Sequence, residues 1–368
     1  MNQFSFIACI CIAGIISCKP KAEASTENAT TAAPPDTIHY DQEKHLANVR
    51  QLTFGGDNAE AYWSFDSKKL TFQATRKAWN TSCDQIFMID ITQPLDTTKA
   101  PQLISTGKGR TTCSYFMPGD TTILYASTHE ADAACPPSPE RVVGGKYVWP
   151  IYPSFDIYIA DLKGNIKSKL TNSPGYDAEA TVSPKGDKIV FTSIRSGDLE
   201  IYTMDMDGSH VHQISHDLGY DGGAFFSPDG SKIVFRASRP TTPEDIKSYK
   251  ELLAQNLVQP TQMELYVCNT DGSDLHQLTH LGKANWAPYF LPSGDRIIFS
   301  SNHAGTKGFE FNLYIIGLDG NGLEQVTYDK VFASFPMFSP DGKKISFSSN
   351  RNDKGTHDTN LFVADWVN

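Results

Sequence analysis

The chain has 368 residues and a formal net charge of −10 at pH 7. Binding to nucleic-acid phosphates requires a basic surface, so this charge excludes a nucleic-acid partner. Hydrophobic residues make up 39% and aromatic residues 11% of the chain, which is enough for a large core. A chain of this length could form two average domains, but all-β barrels and propellers often reach it as a single unit, so length alone does not decide.

Residues 1–17 have the pattern of a signal peptide. They carry no charged side chain, and the apolar run from Phe4 to Ile16 is too short to span a bilayer comfortably. The sequence Ile15-Ile16-Ser17-Cys18 resembles the bacterial lipobox, whose cysteine receives diacylglycerol, although no Lys or Arg precedes the apolar run. We expect lipidation of Cys18. An uncleaved or differently cleaved leader is the alternative.

Residues 18–37 are predicted to be the lipidated cysteine and a flexible tether. The segment is rich in Ala, Thr, Pro and Glu and has no apolar period that a core could bury. Lys19 follows the cysteine where an aspartate would favour retention at the inner membrane. We therefore expect a cell-envelope protein anchored in the outer membrane, facing the periplasm or the surface.

Residues 38–368 are predicted to form one all-β domain, because a single unit recurs six times between Arg50 and Trp366. Each unit has a short outer strand, two strands joined by a tight turn, and an alternating strand that usually ends in Asp-Gly. Proline and glycine favour the backbone angles of the tight turns. These turns are Ser183–Gly186, Ser227–Gly230, Leu291–Gly294 and Ser339–Gly342.

Four short strands per unit predict a six-bladed β-propeller with four-stranded blades. The turns of the first two units are degenerate, at Phe65–Lys68 and Pro118–Asp120. The first outer-strand motif, Gln51-Leu52-Thr53, has no blade before it, and the last unit ends without one. We therefore expect the N-terminal strand to complete the last blade, which closes the ring and removes free sheet edges.

These motifs resemble the TolB-like β-propeller repeat family over nearly all of residues 50–366. The resemblance implies the propeller fold and, by analogy, a protein-interaction role in the envelope. We do not expect TolB itself, because the segment before the first blade is too short for that protein's N-terminal α/β domain. Similar propellers precede the peptidase domain of prolyl-oligopeptidase-like enzymes, but the chain has no Gly-x-Ser-x-Gly or His-Glu-x-x-His motif.

Both long insertions are predicted on one face of the propeller. They cover residues 130–154 in the second blade and 239–261 in the fourth, each after a second strand. The fourth-blade insertion is predicted to contain a helix, with Thr242 as N-cap and Pro243 at its first position. Loops of this length in a compact repeat are usually functional, so we place the binding surface on this face.

A column of cationic residues follows the second strand of the units. Its members are Arg76, His129, Arg195, Arg239, His303 and Arg351. One interpretation is that each pairs with an acid of the neighbouring blade and seals the ring. The alternative is that some of them form a funnel for a carboxylated or sulfated ligand.

Two further columns lie on the innermost strand. The first contains Asn58, Thr111, Asp177, Asp221, Asn285 and Ala333. The second, two residues later, contains Glu60, Cys113, Glu179, Gly223, Ala287 and Phe335. Because side chains alternate along a strand, Asp177 and Glu179 are predicted to lie on the same side. The sequence thus predicts an acidic channel mouth. The predicted binding residues are Asp177, Glu179, Asp221, Asn285, Arg76, Arg195, Arg239 and Arg351.

Four cysteines remain after the leader and the anchor. A disulfide between Cys83 and Cys135 would pin the second-blade insertion, and an oxidising envelope permits it. Cys268 is expected to be a buried small hydrophobe. The alternative is a zinc site formed by Cys83, Cys113, Cys135 and His129, although their spacing matches no standard finger. We expect neither a metal nor another cofactor.

The leading functional hypothesis is an envelope binding module, expected to be a monomer, that takes a protein, peptide or glycan on its loop-rich face. The alternatives are an accessory to a peptidase or a carbohydrate-active lyase or hydrolase. Enzymatic acid/base chemistry requires several groups within reach of one substrate position. The candidate catalytic residues are Glu60, Asp177, Glu179, Asp221, His129 and His303.

Overall fold

A computed structural model describes residues 38–368. The predicted signal peptide, the predicted lipidation site Cys18 and the predicted tether lie outside the described residues. Within the described part of the chain, no helix is both long and apolar enough to cross a membrane.

The described residues form six four-stranded antiparallel sheets, which confirms the predicted all-β, six-bladed propeller. The chain begins with β1, Leu46–Gln51. The first blade contains β2 Asp57–Trp63, β3 Lys69–Thr75, β4 Gln85–Asp90 and β5 Gln102–Leu103, with a 3₁₀ turn at Lys77–Trp79. The second blade contains β6 Thr111–Phe116 and β7 Thr122–Ser127, then the insertion strands β8 Val142–Val143, β9 Lys146–Tyr147 and β10 Trp149–Pro150, then β11 Asp156–Asp161 and β12 Ile166–Lys169.

The other four blades repeat this order from the channel outwards. The third blade contains β13 Asp177–Val182, β14 Lys188–Ser193, β15 Glu200–Asp205 and β16 His212–Gln213. The fourth contains β17 Asp221–Phe226 and β18 Lys232–Ala237, then the insertion elements α1 Pro243–Leu253 and β19 Leu257–Val258, then β20 Glu264–Asn269 and β21 His276–Gln277. The fifth contains β22 Asn285–Phe290, β23 Arg296–Ser301, β24 Asn312–Gly317 and β25 Glu324–Gln325, and the sixth contains β26 Ala333–Phe338, β27 Lys344–Ser349 and β28 Asn360–Trp366.

The N-terminal strand closes the ring, as predicted. Strand β1 pairs with β28 in antiparallel register, with Leu46 opposite Trp366 and Gln51 opposite Phe362. The segment before β1 adds a second fastening, because Glu43 accepts a 2.7 Å hydrogen bond from the buried guanidinium of Arg351. The sixth blade is therefore held together by residues from both ends of the described chain.

Each blade buries one aromatic residue at the same position of its second strand. It is the fourth residue of the second strand in all six blades and is fully buried in each. These residues are Phe72, Tyr125, Phe191, Phe235, Phe299 and Phe347. Burying one such side chain contributes about 1.5–3 kcal/mol, so the repeat supplies a large share of the core by itself.

A serine or threonine after each outer strand joins that strand to the third strand. In the third blade, the Ser215 hydroxyl accepts a 2.9 Å hydrogen bond from the Ile201 amide and donates to the Glu200 carboxylate. This explains why the outer-strand motif ends in a hydroxyl residue. The six hydroxyls belong to Thr53, Ser105, Thr171, Ser215, Thr279 and Thr327.

The tight turns have the predicted chemistry. Gly186, Gly230 and Gly342 all have a φ of 69°, in the left-handed region that glycine adopts without a steric penalty. In the two degenerate turns, Ser67 and Asp120 have φ values of 59° and 54°. Short polar residues tolerate this conformation better than branched ones, so the first blade keeps its turn without glycine, whereas the second blade also has Gly119, with a φ of 89°.

Candidate functional site

A cavity of about 420 Å³ occupies the mouth of the central channel. Its wall includes one residue from the innermost strand of every blade, and these six residues are the second column identified in the sequence. They are Glu60, Cys113, Glu179, Gly223, Ala287 and Phe335. Cavities of this size typically bind small molecules or single side chains.

A bulge in each innermost strand directs this column into the channel. All six residues have positive φ values, from 47° at Ala287 to 61° at Gly223, and the pairing register shifts at each of them. A bulge interrupts the alternation of side chains. The prediction that Asp177 and Glu179 lie on one side of the strand was therefore wrong. Glu179 lines the cavity, whereas Asp177 bonds to Arg195.

Most residues of the first column do not line the cavity, and Thr111 is the exception. Asp177 and Asp221 are fully buried, and Asn285 donates a 2.9 Å hydrogen bond to the Met263 carbonyl. Arg195 Nη2 lies 2.9 Å from Asp177 Oδ1, and Arg239 Nη2 lies 2.9 Å from Asp221 Oδ2.

These two ion pairs join residues of the same blade, unlike the neighbouring-blade pairs suggested by the sequence. The reason is the antiparallel register of the first two strands. Asp177 lies opposite Ser193, so an arginine two residues after Ser193 reaches the aspartate of its own blade. Each pair is therefore a clasp within one blade.

The other members of the cation column also lie outside the cavity lining. Arg351 is buried and bonds Glu43 and Asp329 at 2.7 and 2.6 Å. Arg76 lies over the Trp79 ring, with 4.8 Å between the guanidinium carbon and the ring centroid. His129 and His303 pack against Tyr158 and Tyr314, with ring centroids 4.5 Å apart in both cases.

Burial lowers the pKa of both His129 and His303. Their Nδ1 atoms lie 2.9 Å from Ser127 Oγ and 3.0 Å from Ser301 Oγ. Neither ring lines the cavity. The candidate catalytic arrangement would require these histidines to lie beside Glu60 or Glu179. The structure does not bring them together.

Glu179 is the centre of a buried polar network. Its Oε1 accepts hydrogen bonds from Tyr176 at 3.3 Å, from Arg236 at 3.0 Å and from Tyr220. Its Oε2 accepts from Thr192 at 3.1 Å and from the Gly223 amide. Both oxygens are thus fully used by the protein.

Arg236 carries the positive charge of this network. Burial, the largest single influence, opposes that charge, but Glu179 together with Tyr220, Tyr176 and Cys113 raises the pKa of Arg236 overall. A Cβ atom at Gly223 would lie 1.8 Å from Arg236 Nη1. Glycine at this one position of the second column therefore makes room for the guanidinium.

Glu60 has a different environment. Its Oε2 accepts hydrogen bonds from the Tyr62 hydroxyl at 2.9 Å and from the Cys113 thiol at 3.0 Å. Burial is the main cause of the raised pKa of Glu60, and the charge of Glu179 adds to it. Among residues 38–368, no cation lies within ion-pair distance of Glu60.

Aromatic residues close the channel below the cavity. They lie two positions after the bulge, and Tyr62 contacts both Tyr115 and Phe225, with ring centroids 5.6 and 6.2 Å apart. Tyr289 contacts Phe225 at 5.2 Å. The cavity therefore ends on a packed aromatic floor.

The second-blade insertion covers the cavity. Its residues from Ser138 to Tyr152 contribute to the lining, including Trp149, which packs 4.9 Å from Trp286. The predicted pair Cys83 and Cys135 forms a disulfide that ties the insertion to the first blade.

The fourth-blade insertion supports this cover. Strand β10 pairs with β19, which joins the two insertions in one small sheet. The predicted helix is confirmed as α1, and its N-cap Thr242 accepts a 3.1 Å hydrogen bond from the Asp245 amide. Sequence reasoning placed both insertions on this face but did not foresee that they pair with each other.

The zinc alternative does not have the required geometry. Cys83 and Cys135 are bonded to each other, whereas Cys113 lies in the channel beside Glu60. No group of three metal-ligating side chains occurs in the part of the chain that the structure describes. Cys268 is buried in β20, as expected for a small hydrophobe.

Sequence reasoning missed Arg236, Tyr220, Trp149 and Trp286. Arg236 had a recognisable signal, because it interrupts the apolar strand β18. The aligned positions of the other blades carry smaller or uncharged residues. These are Gln73, Ala126, Thr192, Ser300 and Ser348.

Comparisons with known proteins agree with this architecture. The profile of the TolB beta propeller domain matches residues 152–250. A TolB-type protein from Agrobacterium tumefaciens shares 20% identity at a TM-score of 0.55, over 85% of this chain and 91% of that one. TolB from Acinetobacter baumannii shares 18% identity at a TM-score of 0.54, and the match covers 82% of this chain and 64% of that protein.

A manganese-bound oligogalacturonate lyase shares 16% identity over 87% of this chain and 93% of its own. Its TM-score of 0.46 is too low to support an argument about function. No curated protein matches the sequence. The solved structures show the fold alone, a six-bladed β-propeller, and the matched profile shows that residues 152–250 are similar to the TolB beta propeller domain.

Proposed function

We propose that this protein is a lipid-anchored binding module of the bacterial cell envelope, which takes a segment of a partner protein into the channel-mouth cavity. The observation that supports this most is the cavity itself, about 420 Å³ in volume and lined by every blade. Its cover is held by a disulfide and by pairing between the insertions. Pre-formed sites of this kind lower the entropic cost of binding.

Binding accounts for the geometry better than catalysis does. A general acid or base must reach the reacting atoms of the substrate. Asp177 and Asp221 are engaged by arginines, Glu179 has no unused oxygen, and His129 and His303 lie outside the cavity lining. Glu60 remains as a single carboxyl, which is suited to recognition.

The test is a parallel peptide and glycan array probed with residues 37–368. We expect selective peptide binding that is lost in Trp149→Ala, which removes part of the cavity wall, and kept in Ile166→Ala on exposed strand β12. Selective glycan binding would replace the peptide assignment. Binding to neither class would refute the proposed function.

The anchor and the outer-membrane location are proposed from Cys18 and Lys19. Metabolic labelling with a palmitate analogue tests the anchor in cells. We expect label on the wild type and none on Cys18→Ser, with the wild-type label found in outer-membrane fractions. Equal labelling of both proteins would contradict lipidation at Cys18.

A further inference from the structure

The acids around the channel mouth differ in what neutralises them. Asp177 pairs with Arg195, and Asp221 pairs with Arg239. Glu179 pairs with Arg236 at 3.0 Å. Glu60 is the exception, because its contacts are hydrogen bonds from a hydroxyl and a thiol.

The unpaired oxygen of Glu60 is available to the cavity. Tyr62 and Cys113 both donate to Oε2, while Oε1 receives no hydrogen bond from residues 38–368. Glu60 itself lines the cavity and is only partly buried. An ionised carboxylate in a confined site is stabilised best by a cation that also donates hydrogen bonds.

The fifth and sixth blades give the same cavity an apolar wall. Trp286, Ala287, Phe332, Phe335 and Met337 all contribute to it. The indole N–H of Trp286 is already bonded to the Pro260 carbonyl at 2.8 Å, so the ring offers only its hydrophobic surface. A ligand that fits both walls has a hydrocarbon stem and a positively charged end.

The positively charged side chains of the site do not prevent a cationic ligand from binding. Arg236 is neutralised by Glu179, and Arg110 at the rim is neutralised by Asp84. Arg141, on the insertion, is exposed to solvent, where water and salt screen its charge. Three acids and three arginines line the cavity, and once the two ion pairs are set aside, Glu60 and the exposed Arg141 are the charged groups that have no ion-pair partner among residues 38–368.

We propose that the cavity binds an alkylammonium or alkylguanidinium group, as in a lysine or arginine side chain, with the cation on Glu60 and the stem against Trp286 and Phe335. This inference rests on the proposed function and gives the chemistry of the partner segment. A free alkylamine has the same chemistry, and the two sources are separated below.

The test measures binding to the full-length protein in neutral detergent by titration calorimetry. The probes are pentapeptides, acetyl-Gly-Gly-X-Gly-Gly-amide, in which X is lysine, arginine, norleucine or glutamate. We expect the lysine and arginine peptides to bind at least about tenfold tighter than the norleucine peptide, a difference typical of one charge-assisted hydrogen bond. Equal binding of lysine and norleucine peptides would overturn the inference.

Matched variants assign the effect to Glu60. In Glu60→Gln, which keeps the size of the side chain, the preference for lysine over norleucine should disappear. Glu251→Gln, on the exposed face of α1, should retain it. A preference that persists in Glu60→Gln would refute the assignment.

Two further probes separate the inference from the proposed function. Binding of n-pentylammonium, but not 1-pentanol, together with no binding of any peptide would support the cation site and refute a partner segment. Selective peptide binding without a preference for lysine or arginine would support the partner segment and refute the cation site.

The affinity should also depend on pH. Tyr62, Cys113, Glu179 and Arg236 face Glu60, and burial raises the pKa of Glu60 above its ordinary value of 4.5. The cation requires the ionised form, so binding should weaken as the pH falls through this raised pKa. Glu60→Gln should remove the pH dependence. A profile that is unchanged in this variant would count against the site.

Discussion

The two columns of the innermost strands are only two residues apart, yet they have opposite roles. Asp177 is fully buried and forms an ion pair with Arg195 of its own blade. Glu179 faces the channel and forms an ion pair with Arg236 of the next blade. The two aspartates of the first column therefore each fasten their own blade, whereas all six residues of the second column line the cavity. An acidic residue at a channel mouth therefore indicates a ligand site only once its partners in the ring are known.

The largest effect is expected from breaking the most buried clasp. Arg351→Met leaves Glu43 and Asp329 buried without a cation, which should lower the free energy of unfolding by about 3–5 kcal/mol. Urea denaturation measures this loss. Arg296→Met is the control, because the Arg296–Glu324 pair is partly exposed and should contribute only about 0–1 kcal/mol. Equal losses would show that the Arg351 clasp does not hold the ring.

The disulfide joins the cover of the site to the first blade, so its removal tests the cover apart from the ion pairs of the ring. Replacing Cys83 and Cys135 by serine should lower the free energy of unfolding by about 2–4 kcal/mol, because the unfolded chain gains freedom. Reduction of the wild type should give the same loss. Denatured fragment 37–368 should show two free thiols, from Cys113 and Cys268. Four thiols would exclude the bond.

A pair of glycine variants compares the channel with an open loop. Gly223 and Gly282 have φ values of 61° and 70°, so alanine is strained at both. Only at Gly223 would the new Cβ meet Arg236, since nothing lies within 4 Å at Gly282. Thermal or urea unfolding should show Gly223→Ala to be less stable than Gly282→Ala by about 1–3 kcal/mol. Equal stabilities of the two variants would mean that Arg236 moves aside for the new Cβ at no cost.

The last comparison concerns a buried ring acid without an arginine partner. Burial raises the pKa of Glu200 from 4.5 to about 8. The folded state therefore binds the proton more tightly, and stability should fall as the pH rises from 4.5 to about 8. In Glu200→Gln the decline of Tm with pH should become shallower, while Glu251→Gln should keep the wild-type slope. An unchanged slope in Glu200→Gln would contradict the raised pKa.

Much of the fold could be predicted from the sequence because its signals are local. The tight turns, the hydroxyl residue after each outer strand and the N-cap of α1 all lie within a few residues of the structure they specify. Of the residues that the sequence places at the channel mouth, Glu60 and Glu179 line the cavity and Asp177 and Asp221 do not. Arg236 and Trp149 were missed because they reach the cavity from other strands and from an insertion.

By itself, the sequence determined the six blades, the closure by the N-terminal strand and the face that carries the insertions, because periodic patterns encode strands and turns. Only the tertiary structure decided which side chains reach the channel. The bulge at each second-column residue rotates Glu60 and Glu179 into the cavity, and the pairing of β10 with β19 joins loops about one hundred residues apart. A non-local contact of this kind leaves no period in the sequence.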